Sequence, residues 1–142
     1  MVNVNTLQPI YCAKVMTSQL LKRPQRSAMV AVASVAAEQP IPGALTYSCT
    51  KIFADYLAQG LYYEFGKKGI DVLSWKPAGV ATKMLKKPAG GGVLSPDVAV
   101  RGMLRDLGRD GRTYGKWRHA MSGFGVSIAP LSLLHGFILK KV

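Results

Sequence analysis

The spacing of apolar residues changes period several times along the chain. Between Val4 and Leu21, residues Leu7, Ile10, Tyr11, Val15 and Leu20 recur near helical spacing, with Pro9 early, where a missing amide costs least. Beyond the turn Lys22-Arg23-Pro24-Gln25-Arg26, Ala28 to Ala33 is an unbroken run of small apolar residues. Such a run predicts a strand buried on both faces of a parallel sheet. Gln39-Pro40-Ile41-Pro42-Gly43 reads as a loop, and from about Leu45 to Lys67 the residues Phe53, Leu57, Leu61 and Phe65 recur at four-residue steps. That second helix is expected to stop where Lys67-Lys68 put cations in its last turn and Gly69 follows. Ile70 to Trp75 predicts the next strand, and Pro77-Ala78-Gly79 the turn at its end. Strand, helix and strand make one βαβ unit, with a right-handed crossover expected.

Downstream, Leu85 to Val93, with Gly90-Gly91-Gly92, reads as a loop, and Ser95-Pro96-Asp97 as a helix start with its N-cap, running to about Leu107. Thr113 to His119 is expected to be a last strand. Residues 120–139 carry no charge apart from His135 and are closed by Lys140-Lys141. The length suits a membrane span. Gly123, Gly125, Pro130 and Gly136 interrupt it, however, and favour an interfacial or subunit-packing hairpin. The expected division is an α/β domain over residues 1–119 and an apolar tail over 120–142 that contacts membrane or a partner.

Composition narrows the class. A chain of 142 residues that is 49% hydrophobic is one domain or part of one, and general disorder is excluded. Two cysteines, Cys12 and Cys49, are too few for a disulfide framework and fit buried thiols in a reducing compartment. The formal charge of +12 suits nucleic acid, anionic lipid or phosphate-bearing ligands. The cations are scattered, without aromatic interleaving, so a solvated basic surface near membrane or a partner is the expectation and nucleic acid is not. Met1 to Asn5 have neither the charged start nor the apolar run of a signal peptide. His119 and His135 lack companion acids, which argues against a metal site, and Asp55, Glu64 and Asp71 form no evident carboxylate pair.

The candidate chemistry lies at Ser34, Tyr47 and Lys51. A tyrosine and a lysine four apart share one helix face, and an ammonium there favours the phenolate of its neighbour. Ser34 ends the predicted first strand, where ligands bind in open α/β sheets. Its hydroxyl is placed to hold a carbonyl oxygen while the tyrosine passes that oxygen a proton. Carbonyl reduction or alcohol oxidation by hydride transfer needs such groups, and the hydride must come from a cofactor.

Ser34 with Tyr47-x-x-x-Lys51, preceded by Asn5, resembles the active-site tetrad of the short-chain dehydrogenase/reductases. Pro77-Ala78-Gly79-Val80-Ala81-Thr82 resembles the proline turn that lines the nicotinamide in that family. Val80 to Met84, Lys87-Pro88, Ser95-Pro96, Thr113-Tyr114-Gly115 and His119-Ala120 look closest to its branch of 17β-hydroxysteroid dehydrogenases and very-long-chain 3-oxoacyl-CoA reductases. The resemblance implies catalytic roles for Ser34, Tyr47, Lys51 and Asn5, and contacts from Tyr47, Lys51, Pro77 and Thr82 to NADP or NAD. It implies a lipid-like carbonyl substrate and an endoplasmic reticulum membrane; the alternative location, for a structural subunit, is a mitochondrial membrane complex. Ala31 and Ala33 depart from the family on the serine strand, Ala78 after the proline, and Lys76 sets a charge beside the expected nicotinamide pocket.

The implied fold class is α/β: the C-terminal half of a Rossmann-like, doubly wound parallel sheet without its glycine-rich N-terminal βαβ half. Gly90-Gly91-Gly92 does not stand in for that half, because it neither follows a strand nor opens a helix. A sheet this small, apolar on both faces, is not expected to persist alone. Three readings stay open: a truncated reductase, one half of a split enzyme with a partner chain, or a catalytically silent structural subunit.

Overall fold

A computed structural model describes residues 1–134. Residues 135–142, which include the end of the expected apolar tail, His135 and the Lys140-Lys141 pair, lie outside the described residues. Three parallel strands form one sheet in the order β1-β2-β3: β1 (Ser27–Val32), β2 (Ile70–Trp75) and β3 (Arg112–Thr113). β1 and β2 pair along their full length, from Ser27 opposite Ile70 to Val32 opposite Trp75.

The first predicted helix is a π-helical turn, Asn3–Leu7, continued by α1 (Gln8–Leu20). α2 (Leu45–Phe65) crosses from β1 to β2 as the apolar spacing requires. A tight turn through Lys67-Lys68 then closes at Gly69, whose φ of 92° is open to glycine at little cost. α1 and α2 cover one face of the sheet, where Leu20, Ala58, Ile70 and Val72 are buried together. α3 (Pro96–Asp106) covers the other face with Ala99 and Met103 against Leu73 and Trp75. Ser95 precedes α3 as expected, but its side chain makes no capping bond. Gly102 lets α3 press against the chain after β3, since a Cβ there would stand 2.2 Å from the Gly115 carbonyl oxygen.

The end of the chain departs from expectation. Thr113 to His119 is not a strand. β3 has two residues, the chain turns at Gly115 with φ 76°, and α4 (Trp117–Ile128) follows. The physical reason is His119, which is fully buried and faces the Gly79 carbonyl, a placement that a continued strand would not provide. The glycine-rich loop folds back on the proline turn: Ala81 N–H donates to Leu94 and Leu94 N–H to Gly79. Among the described residues no helix is long and apolar enough to cross a membrane.

Candidate active site

The site is assembled at the C-terminal end of β1. Two residues past the strand, Ser34 is buried in extended backbone, and its Oγ accepts the Ala36 amide at 3.1 Å. That bond uses a lone pair of the oxygen and leaves the hydroxyl proton free to donate. The next turn is tied to β2's end, because Val35 N–H donates to the Pro77 carbonyl at 3.1 Å. The serine turn and the proline turn are thus one backbone-bonded unit.

Tyr47 and Lys51 face the same way from the first turns of α2, as a four-residue separation dictates, with Lys51 Nζ 5.6 Å from the Tyr47 ring centre. Lys51 Nζ donates to the Val32 carbonyl at 2.8 Å, which holds the start of α2 to the end of β1. Burial lowers the Lys51 pKa below the ordinary lysine value, since losing water penalises the charged form. Asn5 reaches the same turn: its Nδ2 donates to Thr50 Oγ1 at 3.0 Å, and Thr50 donates back to the Tyr47 carbonyl. The amide oxygen of Asn5 has no part in that bond. Thr82 lies farther out, exposed, its Oγ1 accepting the Leu85 amide at 3.4 Å within its own turn.

Sequence reasoning missed the charge cluster beneath this site. Lys76 does not point toward the proline turn's pocket. It is fully buried, ion-paired with Glu38, 3.6 Å from Asp55 and 5.3 Å from the Tyr114 ring centre. Arg112 reaches both carboxylates, at 3.0 Å from Asp55 and 3.5 Å from Glu38. Ser74 donates to Asp55, and Tyr114 to Glu38, each at 2.5 Å. Burial pushes the Glu38 carboxyl up, but hydrogen bonds from Lys76 and Tyr114 and the charges of Lys76 and Arg112 outweigh it, leaving its pKa below the usual range. Burial and the Glu38 carboxylate push the Tyr114 phenol up to about 12. Four segments meet here: the serine turn through Glu38, α2 through Asp55, β2's end through Lys76, and the β3 region through Arg112 and Tyr114. A signal was present in the sequence. Asp55 stands one turn beyond Lys51 on a packing helix, and Lys76 closes an apolar strand, two charges in places that only pairing makes tolerable. His119, fully buried and 3.1 Å from the Gly79 carbonyl, steadies the proline turn from α4; burial lowers its pKa and favours the neutral ring. Among the described residues no group of three or more potential metal ligands forms.

A family model described as short chain dehydrogenase matches residues 1–89. The chain is 32% identical to the very-long-chain 3-oxoacyl-CoA reductase of Anas platyrhynchos over 99% of its own length and 45% of that protein's. It is also 32% identical to the very-long-chain 3-oxoacyl-CoA reductase of Homo sapiens, over 92% of its length and 42% of the relative's. The chain therefore spans less than half of either relative. In three dimensions it is similar to a short chain dehydrogenase from Burkholderia cenocepacia J2315 solved in complex with NADP, with a TM-score of 0.76 at 22% identity, over 96% of this chain and 58% of that one. The architecture is a partial, Rossmann-like α/β sheet, as three parallel strands flanked by helices and those coverages show.

Proposed function

Because the chain belongs to the short-chain dehydrogenase family, we propose that it is the substrate-facing half of an oxidoreductase that reduces the carbonyl of a 3-oxoacyl-CoA, or of a ketosteroid, to a secondary alcohol. The observation that carries this reading is the pairing of Tyr47 and Lys51 on α2, with Lys51 anchored at the end of β1 two residues before Ser34.

The residues present fit the nicotinamide end of NADP or NAD. Lys51 spends one of its three donors on Val32, and two remain for ribose hydroxyls. Tyr47 stands beside it, and the family likeness assigns Pro77 and Thr82 to the same ligand. Among the described residues no glycine-rich turn joins a strand to a helix N-terminus, so the pyrophosphate end needs the part of the family fold that this chain does not span. When bound, the cofactor supplies a hydride to the carbonyl carbon.

The chain's own groups manage the oxygen. The Ser34 hydroxyl donates to the carbonyl oxygen and fixes its position. As the carbon gains the hydride, the C=O π pair moves onto that oxygen and the Tyr47 phenol gives it a proton. Lys51 stabilises the phenolate left behind until a proton returns from water, and the family likeness assigns Asn5 to hold that water. The branch likeness favours work at the endoplasmic reticulum membrane. The exposed stripe of Trp117, Met121, Phe124 and Ile128 on α4 supports contact with membrane or a partner through residues 120–139, the last five of which lie outside the described residues.

Co-expression with the N-terminal portion of the human relative tests the reading. NADPH consumption with a 3-oxoacyl-CoA is expected, falling at least ~100-fold in Tyr47→Phe, since a positioned general acid contributes about that much or more. Equal turnover by the Tyr47→Phe chain would overturn it. One observation favours a second reading, a catalytically silent subunit of a larger mitochondrial or other membrane complex: the chain spans less than half the length of the relatives it matches. Absence of turnover in an assembly that binds NADPH would favour that reading.

A further inference from the structure

Glu38, Lys76 and Asp55 lie outside the proposed chemistry, yet each stands close in sequence to a group within it. Glu38 follows Ser34 by four residues, Lys76 directly precedes Pro77, and Asp55 follows Lys51 by about one helical turn. The stretch from Ser34 to Glu38 is one tight turn. Ala37 N–H donates to the Ser34 carbonyl at 3.0 Å, Glu38 N–H to the Val35 carbonyl at 3.1 Å, and Ala36 N–H to Ser34 Oγ at 3.1 Å. So bonded, the turn is a rigid piece, and whatever fixes Glu38 also fixes Ser34.

This piece is tied to the end of β2 twice. Near Ser34, Val35 N–H donates to the Pro77 carbonyl at 3.1 Å. At the far end the Glu38 carboxylate pairs with the Lys76 ammonium, whose side chain is wholly shielded from solvent. The Tyr114 hydroxyl donates to Glu38 at 2.5 Å, and Arg112 stands 3.5 Å from it. Asp55 brings α2 into the same cluster: it accepts from Ser74 Oγ at 2.5 Å and lies 3.6 Å from Lys76 Nζ.

We propose that Glu38 and Lys76 are positioning residues, an ionic clamp that holds the Ser34 hydroxyl in register with Pro77 on one side and with Tyr47 and Lys51 on the other.

Energetics favour positioning over stability alone. Two apolar side chains of similar volume would hold these segments about as firmly, because a buried ion pair gives up much of its attraction to lost hydration. What the pair adds is direction. A carboxylate that accepts from an ammonium and a phenol at once has few favourable orientations, whereas a methionine in its place flexes. Direction counts here, since a shift of about 1 Å among reacting groups can cost ~100-fold in rate. The catalytic side of this inference rests on the reductase reading; the clamp on the serine turn does not.

Amide hydrogen exchange on the full chain, and turnover by its assembly with the N-terminal portion of the human relative, test the two sides separately. In Glu38→Met/Lys76→Met the Val35 and Ala36 amides are expected to exchange at least ~10-fold faster, while Val72 and Leu73 in β2 keep their protection. In the assembly, kcat with NADPH and a 3-oxoacyl-CoA should fall at least ~10-fold with KM changed less than about threefold, the signature of lost geometry with binding retained. Glu38→Leu/Lys76→Leu serves if the methionine pair fails to fold. Unchanged Val35 and Ala36 rates overturn the clamp. Equal acceleration at Val72 and Leu73 also overturns it, because the pair then contributes stability only. Faster turn amides with unchanged kcat overturn the positioning role. A wild-type assembly without turnover sinks the reductase reading, and the amide rates then decide the clamp by themselves.

Discussion

Lys76 shows how one charge acquires its place. A lysine at the end of an apolar strand is costly to bury, and Glu38 and Asp55 make it tolerable by pairing with it. Lys76→Met leaves both carboxylates buried with Arg112, itself half-exposed, as their remaining cation, and should lower unfolding free energy by about 3 kcal/mol in urea denaturation, in the range found when one partner of a buried pair is removed. Replacing Lys76 and Glu38 together by methionine should cost less, because no unpaired charge remains at that position. Tyr114 gives a pH dependence whose sign is fixed. Its phenol is raised from 10.0 to about 12 in the fold, so the stability it contributes is complete below pH 10 and is lost as pH rises through the folded value. Thermal unfolding between those limits should show a downward slope that Tyr114→Phe removes; an unchanged slope would place the titrating group elsewhere. Glu38 acts at the other end, its lowered carboxyl lending stability above its ordinary value of 4.5 that is lost as pH falls through the folded one.

At the scale of elements, contacts at short range decide geometry. α3 meets the turn after β3 through the bare backbone of Gly102, and Gly102→Ala would drive a methyl into the Gly115 carbonyl. The neighbour is backbone and gives way poorly, so the variant should lose about 2 kcal/mol of stability, as overpacked cores do. A fully stable Gly102→Ala chain would mean that α3 sits farther from that turn. β1, β2 and the two early helices were legible in the sequence because each announces itself by period: Ile70–Trp75 as an apolar run, Leu45–Phe65 by four-residue steps. Thr113 to His119 was misread for the converse reason. A short stretch with mixed polarity has no dominant period, and what fixes it is a buried bond from His119 to a carbonyl forty residues earlier.

For the molecule as a whole, a sheet of three strands among the described residues is the governing fact. β1 offers an open edge, and the chain carries exposed apolar side chains on α1 and α4, among them Tyr11, Val15, Met121 and Phe124. A surface of that kind is a binding surface or a liability. Purified alone, the chain should self-associate or bind a hydrophobic dye, and adding the part of the human relative that it does not span should abolish both. A monomeric, dye-free chain with one sharp unfolding transition would overturn the view that it works within an assembly. The charge of +12 adds an electrostatic component, so association with an acidic partner should weaken as salt is raised.

The amino-acid sequence determined the kind of fold and the pairing of the candidate groups, because helical spacing alone sets Tyr47 and Lys51 side by side and an apolar run alone marks a strand of a parallel sheet. Tertiary structure decided where each charge ends. That Lys76 turns inward to Glu38, that Lys51 rests on the Val32 carbonyl, and that Asn5 ties to Thr50 depend on residues brought together from distant parts of the chain, whose approach is governed by packing and hydrogen-bond geometry and leaves no trace in local order.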